Sequence, residues 1–136
     1  MPAPDPQTLA AAMPFAVALG VEVTAATAEE VRGRLGWSAE RCTSAGILHG
    51  GAIMSLADTL GAICAFLNLP PGAGTSTIES KTNFFRGVRS GAVQAVARPL
   101  HVGRTTVVVQ TDLYDDDGRR VSQTTQTQAV LPARAD

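Results

Sequence analysis

Hydrophobic and polar residues alternate along much of the second half of the chain, a period of two that is typical of half-buried β-strands. The pattern predicts four strands, at Thr75–Phe85, Ala92–Val102, Thr105–Tyr114 and Arg120–Leu131. Gly103 and the stretch Asp115–Gly118 indicate tight turns between the last three strands. Pro99 has no backbone N–H to donate, so we expect an edge position or a bulge in its strand. We expect the four strands to follow one another in meander order.

Shorter elements are predicted at the start of the chain. Asp5 before Pro6 fits an N-cap followed by proline at the first helical position. A short helical segment should follow over residues 6–19, with Pro14 beginning a second turn and Gly20 ending it. Two strands come next, one beginning at Val21–Val23 and one over Val31–Trp37.

One long helix is predicted between these strands and the later four, from Ala52 to about Leu67, where Pro70-Pro71-Gly72 ends it. Its large apolar residues recur at helical spacing and form one stripe: Ile53, Leu56, Leu60, Ile63 and Leu67. Two strands, one long helix and four strands predict an α+β fold, in which an antiparallel sheet of about six strands packs against one dominant helix.

Asp58 lies on the opposite side of this helix and is the only charged residue between Ala52 and Leu67. Its neighbours on that side are small or apolar, Ala62 among them. A helix that is apolar all round is usually buried, and burying an unpaired carboxylate is costly. We therefore interpret Asp58 as a nucleophile or general base in a cleft, where Ala62 leaves room for a ligand. The structural alternative is that Asp58 pairs with an arginine or caps a loop.

The helix begins with His49-Gly50-Gly51. Neither glycine has a side chain to shield the first backbone N–H groups, and such a helix start binds an anion or an oxygen that gains negative charge. His49 could orient the loop or hydrogen-bond a ligand, although the tripeptide alone also fits a tight turn. Gly50 and Asp58 lie about 12 Å apart along the helix. If both serve one reaction, the site combines Gly50 of one subunit with Asp58 of another, as in a dimer of antiparallel central helices.

Composition narrows the class of protein. The chain has 136 residues, of which 45% are hydrophobic, and we expect a single domain over residues 1–136. The net charge of -1 excludes binding of nucleic acid by bulk charge, and no apolar run is long enough for a membrane span. No basic leader precedes an apolar segment, and two cysteines are too few for a disulfide scaffold, so we expect a reducing, cytoplasmic setting.

The segment His49-Gly50-Gly51-Ala52-Ile53-Met54-Ser55-Leu56-Ala57-Asp58-Thr59 resembles the signature of hotdog-fold acyl-CoA thioesterases of the PaaI-like type. The resemblance extends from about Phe15 to Leu131 and includes the strand end Asn83-Phe84-Phe85-Arg86 and the turn His101-Val102-Gly103-Arg104. It implies a sheet of about six strands wrapped around one long central helix. It also implies a homodimer with shared active sites, usually paired into a homotetramer, and hydrolysis without a metal or an organic cofactor.

The resemblance assigns the chemistry to few residues. Gly50 N–H polarises the thioester carbonyl, and Asp58 of the partner chain attacks it or activates water. Six residues before His49, many relatives have an asparagine or glutamine that helps to position the thioester or the water. This chain has Thr43 there, whose hydroxyl could substitute in that catalytic role but has a shorter reach. A hydroxyl early in the third strand often lies near the attacking water; Ser76 and Thr77 both fit.

Coenzyme A would bring phosphates, which arginine binds through its planar fork. The motif and the strand ends together predict these substrate contacts: Gly51, Thr59, Ala62, Ser76, Asn83, Phe84, Arg86, Arg89, Gly103 and Arg104.

The resemblance implies hydrolysis of acyl-CoA thioesters, and the small residues near Asp58 would admit small, aromatic or medium-chain acyl groups. A hydratase or dehydratase on the same fold is one alternative, but that chemistry generally requires a histidine–carboxylate pair, and only His49 and His101 are available. A non-catalytic acyl-CoA-binding module is the other, although such regulators usually carry an additional DNA-binding domain.

Overall fold

The computed structural model describes residues 4–134. Its helices are α1 (Pro6–Ala11), α2 (Pro14–Leu19) and α3 (Gly50–Phe66), with a 3₁₀ turn at Ala39–Arg41. Its strands are β1 (Glu22–Ala26), β2 (Val31–Gly36), β3 (Gly74–Phe84), β4 (Ala92–Val102), β5 (Thr106–Tyr114) and β6 (Arg120–Leu131). All neighbouring strands are antiparallel, and α3 packs against the sheet. The predicted α+β architecture of six strands and one long helix is confirmed.

The strand order is β1-β2-β4-β5-β6-β3, which corrects the predicted meander. Only β4, β5 and β6 follow one another; β3 pairs with β6 at the far edge, and β4 pairs with β2. The connection over residues 85–91 explains the difference. Leu48 donates its N–H to Val88 O at 2.8 Å, so this segment passes the start of α3 and takes the chain to the other half of the sheet.

The predicted apolar stripe of α3 faces the sheet. Ile53, Leu56, Leu60 and Ile63 are buried, and Leu67 is half-buried. Each of the four buried side chains contributes about 1.5–3 kcal/mol by leaving water. Cys64 lies in the same core, where burial raises the pKa of its thiol to about 11, so the thiol stays protonated and unreactive at neutral pH.

The predicted stop and bulge signals are confirmed, and one capping detail is wrong. Gly20 ends α2 with a left-handed φ of 91°, and the pairing of β4 with β5 shifts register between Pro99 and His101. Asp5 occupies the N-cap position of α1, but its carboxylate accepts a hydrogen bond from Thr8 Oγ1 instead of capping a backbone N–H. Among residues 4–134, no helix has the length and the hydropathy to cross a membrane.

The edge strand β3 leaves a large surface open. None of its eleven residues is fully buried, and Ile78 is 63% exposed. The adjacent face of α3 is open as well, because no other element of the described chain covers it: Met54 is 38% exposed, and Asp58 is exposed. The expectation that α3 is buried all round is therefore wrong for the single chain.

Candidate active site

Asp58 opens into a groove of about 410 Å³ between α3 and β3. The groove is lined by Gly51, Met54, Ser55, Asp58, Thr77 and Ser80. The predicted cleft is therefore present, but its carboxylate is exposed and not buried. The carboxylate can therefore be reached from the groove. Both direct attack on a bound substrate and activation of a water molecule require this access.

The contact that Asp58 makes is not the one considered from the sequence. Gln126 of β6 donates its Nε2–H to Asp58 Oδ1 at 3.2 Å. No arginine or lysine among residues 4–134 forms an ion pair with Asp58, so the alternative of a structural arginine pair is wrong for this part of the chain.

The start of α3 leaves one backbone donor free. His49 is the N-cap, and its Nδ1 accepts the N–H of Gly51 at 2.8 Å. The next two N–H groups of the helix, those of Ala52 and Ile53, bond to His49 O. Within residues 4–134, the N–H of Gly50 has no acceptor. The expectation of two free glycine N–H groups therefore holds for Gly50 alone. The His49 side chain occupies the N–H of Gly51 and leaves the N–H of Gly50 available to a ligand.

A second groove, of about 380 Å³, surrounds Gly50. It brings together the predicted residues Thr43, Gly50, Phe84 and Arg86. A Cβ added to Gly50 would lie 3.2 Å from Phe84 Cζ, so the aromatic ring covers the helix start. Thr43 Oγ1 accepts the N–H of Ala45 at 3.3 Å, which holds the hydroxyl within its own loop.

The structure separates the two candidate hydroxyls of β3. Thr77 lines the Asp58 groove, and its Oγ1 donates to Gln128 Oε1 at 2.6 Å. Ser76 is exposed, and strand alternation directs it to the other face of the sheet. Asn83 is also exposed. Thr59 is buried, and its hydroxyl donates to Ser55 O at 2.7 Å, so it does not line the groove.

The predicted phosphate-binding residues lie at opposite ends of the sheet. Arg86 and Arg89 line a cavity of about 510 Å³ beside the β5–β6 turn. Asp115 of that turn accepts hydrogen bonds from the backbone N–H and then the guanidinium of Arg119, and these hold the pKa of its carboxyl below the usual range. Gly103 and Arg104 form the β4–β5 turn, at the level where β3 begins. One chain therefore does not bring all three arginines to one nucleotide.

Gly103 has a steric reason to be glycine. An added Cβ would lie 2.6 Å from His101 Nε2 and 3.0 Å from Thr106 O. The turn closes through Gly103 N–H to Thr106 O at 2.8 Å. His101 thus packs within the turn and lines neither the Asp58 groove nor the Gly50 groove.

Ala62 lines an apolar cavity of about 280 Å³ one helical turn beyond Asp58. Residues of α1, of the segment that follows it, of α3 and of β3 line the rest of the cavity. They are Leu9, Ala12, Met13, Ile63, Phe66 and Thr75. Ala62 therefore borders open space, but in a cavity separate from the Asp58 groove, which Ala62 does not line. Its contact with substrate stays a prediction.

Sequence reasoning missed Gln126 and Gln128 of β6 and Ser80 of β3. Both glutamines are 1% exposed, so they face the interior. A polar residue at every second position of β6 was the available signal, but the alternate positions are polar as well. Periodicity therefore could not show which face is buried.

Comparison with known proteins places these features in a family. The solved structure of a mutant of thioesterase PA1618 from Pseudomonas aeruginosa superposes with a TM-score of 0.90 at 34% identity, covering 96% of each chain. The proofreading thioesterase EntH of Cronobacter sakazakii is 36% identical over 86 residues, 63% of each protein. The 1,4-dihydroxy-2-naphthoyl-CoA hydrolase of Escherichia coli is 34% identical over 86 residues, again 63% of each. The chain thus spans less than two thirds of the length of these two curated relatives.

The pattern that defines the thioesterase superfamily matches residues 45–122, more than half of the chain. The matched segment contains the helix start, Asp58, the edge strand and the cavity beside Arg86. The six-stranded sheet with its central helix is the hotdog fold of the solved thioesterase structures it superposes on. The chain belongs to the thioesterase superfamily.

Proposed function

We propose that this protein hydrolyses acyl-CoA thioesters. The observation that carries the proposal is the combination, on one helix, of a free N–H at Gly50 and an open carboxylate at Asp58. A free helix-start N–H stabilises the negative charge that develops on a carbonyl oxygen during attack. A carboxylate supplies the nucleophile or the base.

Asp58 can act in two ways. As a general base, it removes a proton from water while the water oxygen bonds to the carbonyl carbon. As a nucleophile, its own oxygen bonds to that carbon and forms an anhydride, which water then cleaves. The carbon–sulfur bond breaks, the thiolate of coenzyme A leaves and takes up a proton, and the free acid remains. Neither a metal nor an organic cofactor is part of this proposal.

Each site in the proposal is shared by two copies of the chain. Gly50 and Asp58 of one helix are about 12 Å apart, too far to reach the same carbonyl group. The open edge of β3 offers the pairing surface, because an exposed edge strand of eleven residues is prone to pair with another chain. Antiparallel pairing of two β3 strands centred on Ser80 would set Glu79 of one copy opposite Lys81 of the other. We expect two such dimers to assemble into a homotetramer.

The same two-fold pairing would bring the three arginines, which lie at opposite ends of one chain's sheet, to a single substrate. Arg86 and Arg89 lie where β3 ends, and Arg104 lies at the level where β3 begins. Antiparallel pairing of two copies would bring the end of one β3 beside the start of the other. Coenzyme A would then place its phosphates between Arg86 and Arg89 of one subunit and Arg104 of the next.

The acyl group occupies the apolar cavity beside Ala62 in this proposal. Its volume of about 280 Å³ and its aliphatic and aromatic lining suit an aromatic ring or a medium-length chain. The relative from Escherichia coli is named for a naphthoyl-CoA substrate, which supports an aromatic acyl group.

Substituting Ala62→Phe should fill this cavity. We expect kcat/KM for phenylacetyl-CoA and octanoyl-CoA to fall at least about tenfold, the cost of losing a few buried carbon contacts, while acetyl-CoA is less affected. Steady-state kinetics on the three substrates measures the effect. Light scattering separates cavity filling from loss of dimer packing, and an unchanged preference in an intact oligomer would remove Ala62 from the acyl site.

The function is tested by following free-thiol release from a panel of CoA thioesters, including short, medium and long chains together with phenylacetyl, benzoyl and hydroxybenzoyl groups. We expect release by the wild type, with a preference for aromatic or medium-length groups. A folded oligomer that releases no thiol but binds acyl-CoA would instead support a binding module. Addition of water to an enoyl-CoA without thiol release would support a hydratase.

A further inference from the structure

The interior face of β6 carries two amide side chains where the core would ordinarily be aliphatic. Gln126 and Gln128 are both 1% exposed and lie two positions apart on the same face of the strand. A buried amide is unfavourable unless it is hydrogen-bonded. The hydrogen-bond partners of the two side chains therefore indicate what the amides do in this position.

The two amides connect Asp58 to β3 through hydrogen bonds of fixed direction. Gln126 Nε2 donates to Asp58 Oδ1 at 3.2 Å and to Gln128 Oε1 at 3.1 Å. Gln128 Oε1 also accepts the hydroxyl of Thr77 at 2.6 Å, while Gln128 Nε2 donates to Thr75 Oγ1 at 3.1 Å. Both groups that face Gln126 Nε2 are acceptors, so this side chain can serve Asp58 only as a donor.

Gly61 makes room for this contact. It lies in the middle of α3, three residues after Asp58 on the same side, where glycine is an unfavourable choice for a helix. Its φ is not positive, so conformational freedom is not the reason for glycine here. An added Cβ would overlap Gln126 Oε1. The absence of a side chain at Gly61 therefore lets Gln126 lie against the helix and reach Asp58.

One atom of Gln126 has no compensating partner. Gln126 Oε1 is buried and lacks a hydrogen bond among the described residues. A buried unpaired oxygen is costly, and a side chain placed for stability alone would avoid it. The arrangement satisfies the donor side of the amide, which faces Asp58, at the expense of the acceptor side.

We propose that Gln126 is a positioning residue. Its hydrogen bond to Asp58 Oδ1 fixes the orientation of the carboxylate, so that Asp58 Oδ2 faces the thioester. Gln128 and Thr77 keep the Gln126 amide in its orientation, and Gly61 supplies the space it needs. The inference rests on the proposed thioesterase activity and adds to it a residue outside the matched family segment.

The test is Gln126→Met, which keeps the length and removes the donor. We expect kcat to fall about 10- to 100-fold, the usual effect of losing a hydrogen bond to a charged, precisely placed group, with KM nearly unchanged. In the Asp58→Asn background the same substitution should have no further effect on the residual rate, because Gln126 acts through Asp58.

Thr124→Val is the matched control. Thr124 is buried on the same face of β6, and its hydroxyl shares a hydrogen bond of 2.6 Å with Thr82, away from Asp58. This variant loses a part-buried hydrogen bond of the same strand, so its Tm should fall while kcat is retained. Equal loss of kcat in both variants would show that Gln126 serves the fold only and would overturn the inference.

Gly61→Ala tests the same contact with every functional group in place. Its Cβ should displace Gln126, so we expect kcat to fall as in Gln126→Met, even if that first variant does not fold. Full kcat in either folded variant would contradict the positioning role while leaving the thioesterase proposal intact. Absence of thiol release by the wild type would overturn both.

Discussion

Asp58→Asn should leave the protein folded and lower thioester hydrolysis by a factor on the order of 10³, the range expected for loss of a general base. The amide can neither remove a proton from water nor bond covalently to the carbonyl carbon. Asp58 is exposed, and within residues 4–134 its one side-chain hydrogen bond is to Gln126 Nε2, so the substitution creates no cavity and no buried unpaired charge. Free-thiol release with the best substrate of the panel, together with the thermal melting curve, measures both expectations.

Ser55→Ala is a suitable control for this substitution. Ser55 lines the same groove, but its hydroxyl donates to Gly51 O at 2.7 Å within the helix. We expect Ser55→Ala to keep most of the activity. An Asp58→Asn enzyme that retains the wild-type rate would remove Asp58 from the mechanism and, with it, the central argument for hydrolysis.

The two roles of Asp58 can be separated with labelled water. In a single turnover in H₂¹⁸O, general-base catalysis places the label in the free acid and none in the protein. Direct attack forms an anhydride, and water that cleaves it at the carboxyl of Asp58 leaves the label on that side chain. Label found by mass spectrometry in the peptide containing Asp58 would establish direct attack, whereas cleavage of an anhydride at the acyl carbon would leave that peptide unlabelled, as general-base catalysis does.

The sequence was sufficient for the elements and for the helix that carries the site. Turn residues are strong local signals, which is why Gly20, Pro99 and the Asp115–Gly118 turn were predicted at their observed places. The motif around Asp58 has a distinctive spacing, so it was found without the structure. These features depend on neighbouring residues, which a single sequence contains.

The pairing of β3 could not be predicted in the same way. Strand order depends on where the connection over residues 85–91 runs, and that segment has no two-residue turn of the kind that fixes a hairpin. Its course is held by long-range contacts such as the bond between Leu48 N–H and Val88 O, two residues forty positions apart. The edge position of β3, and with it the open groove beside Asp58, therefore depends on contacts that local sequence signals do not contain.

The buried amides were missed for a related reason. Along β6, the inward positions Thr124, Gln126 and Gln128 alternate with outward positions that are also polar, such as Thr125 and Thr127. Alternation of polarity is what identifies the buried face of a strand, and here it is absent. Gly61 was a second signal for the buried amides. A glycine in the middle of a long helix indicates that another group lies close to the helix backbone.

Gly50→Pro should abolish the proposed carbonyl-binding donor while preserving the helix. Gly50 is the first residue of α3, where proline is well tolerated, and His49 before it is already extended with φ -62° and ψ 132°. Loss of one such donor lowers kcat by about 10²- to 10³-fold. Gly50→Ala is the control, because it adds a Cβ near Phe84 but keeps the N–H. Equal kcat in the two variants would exclude the Gly50 N–H from catalysis.

Combining Gly50→Pro and Asp58→Asn chains tests whether each site spans two subunits. In a mixed dimer, one site has both defects, and the other has an intact Gly50 from one chain and an intact Asp58 from the other. A purified mixed dimer should therefore recover about half of the wild-type activity, and an equilibrated equal mixture about a quarter. Two differently tagged chains, co-expressed and purified through both tags, provide the sample. Absence of recovery in verified mixed dimers would place Gly50 and Asp58 in separate functions, because the length of α3 prevents them from meeting within one chain.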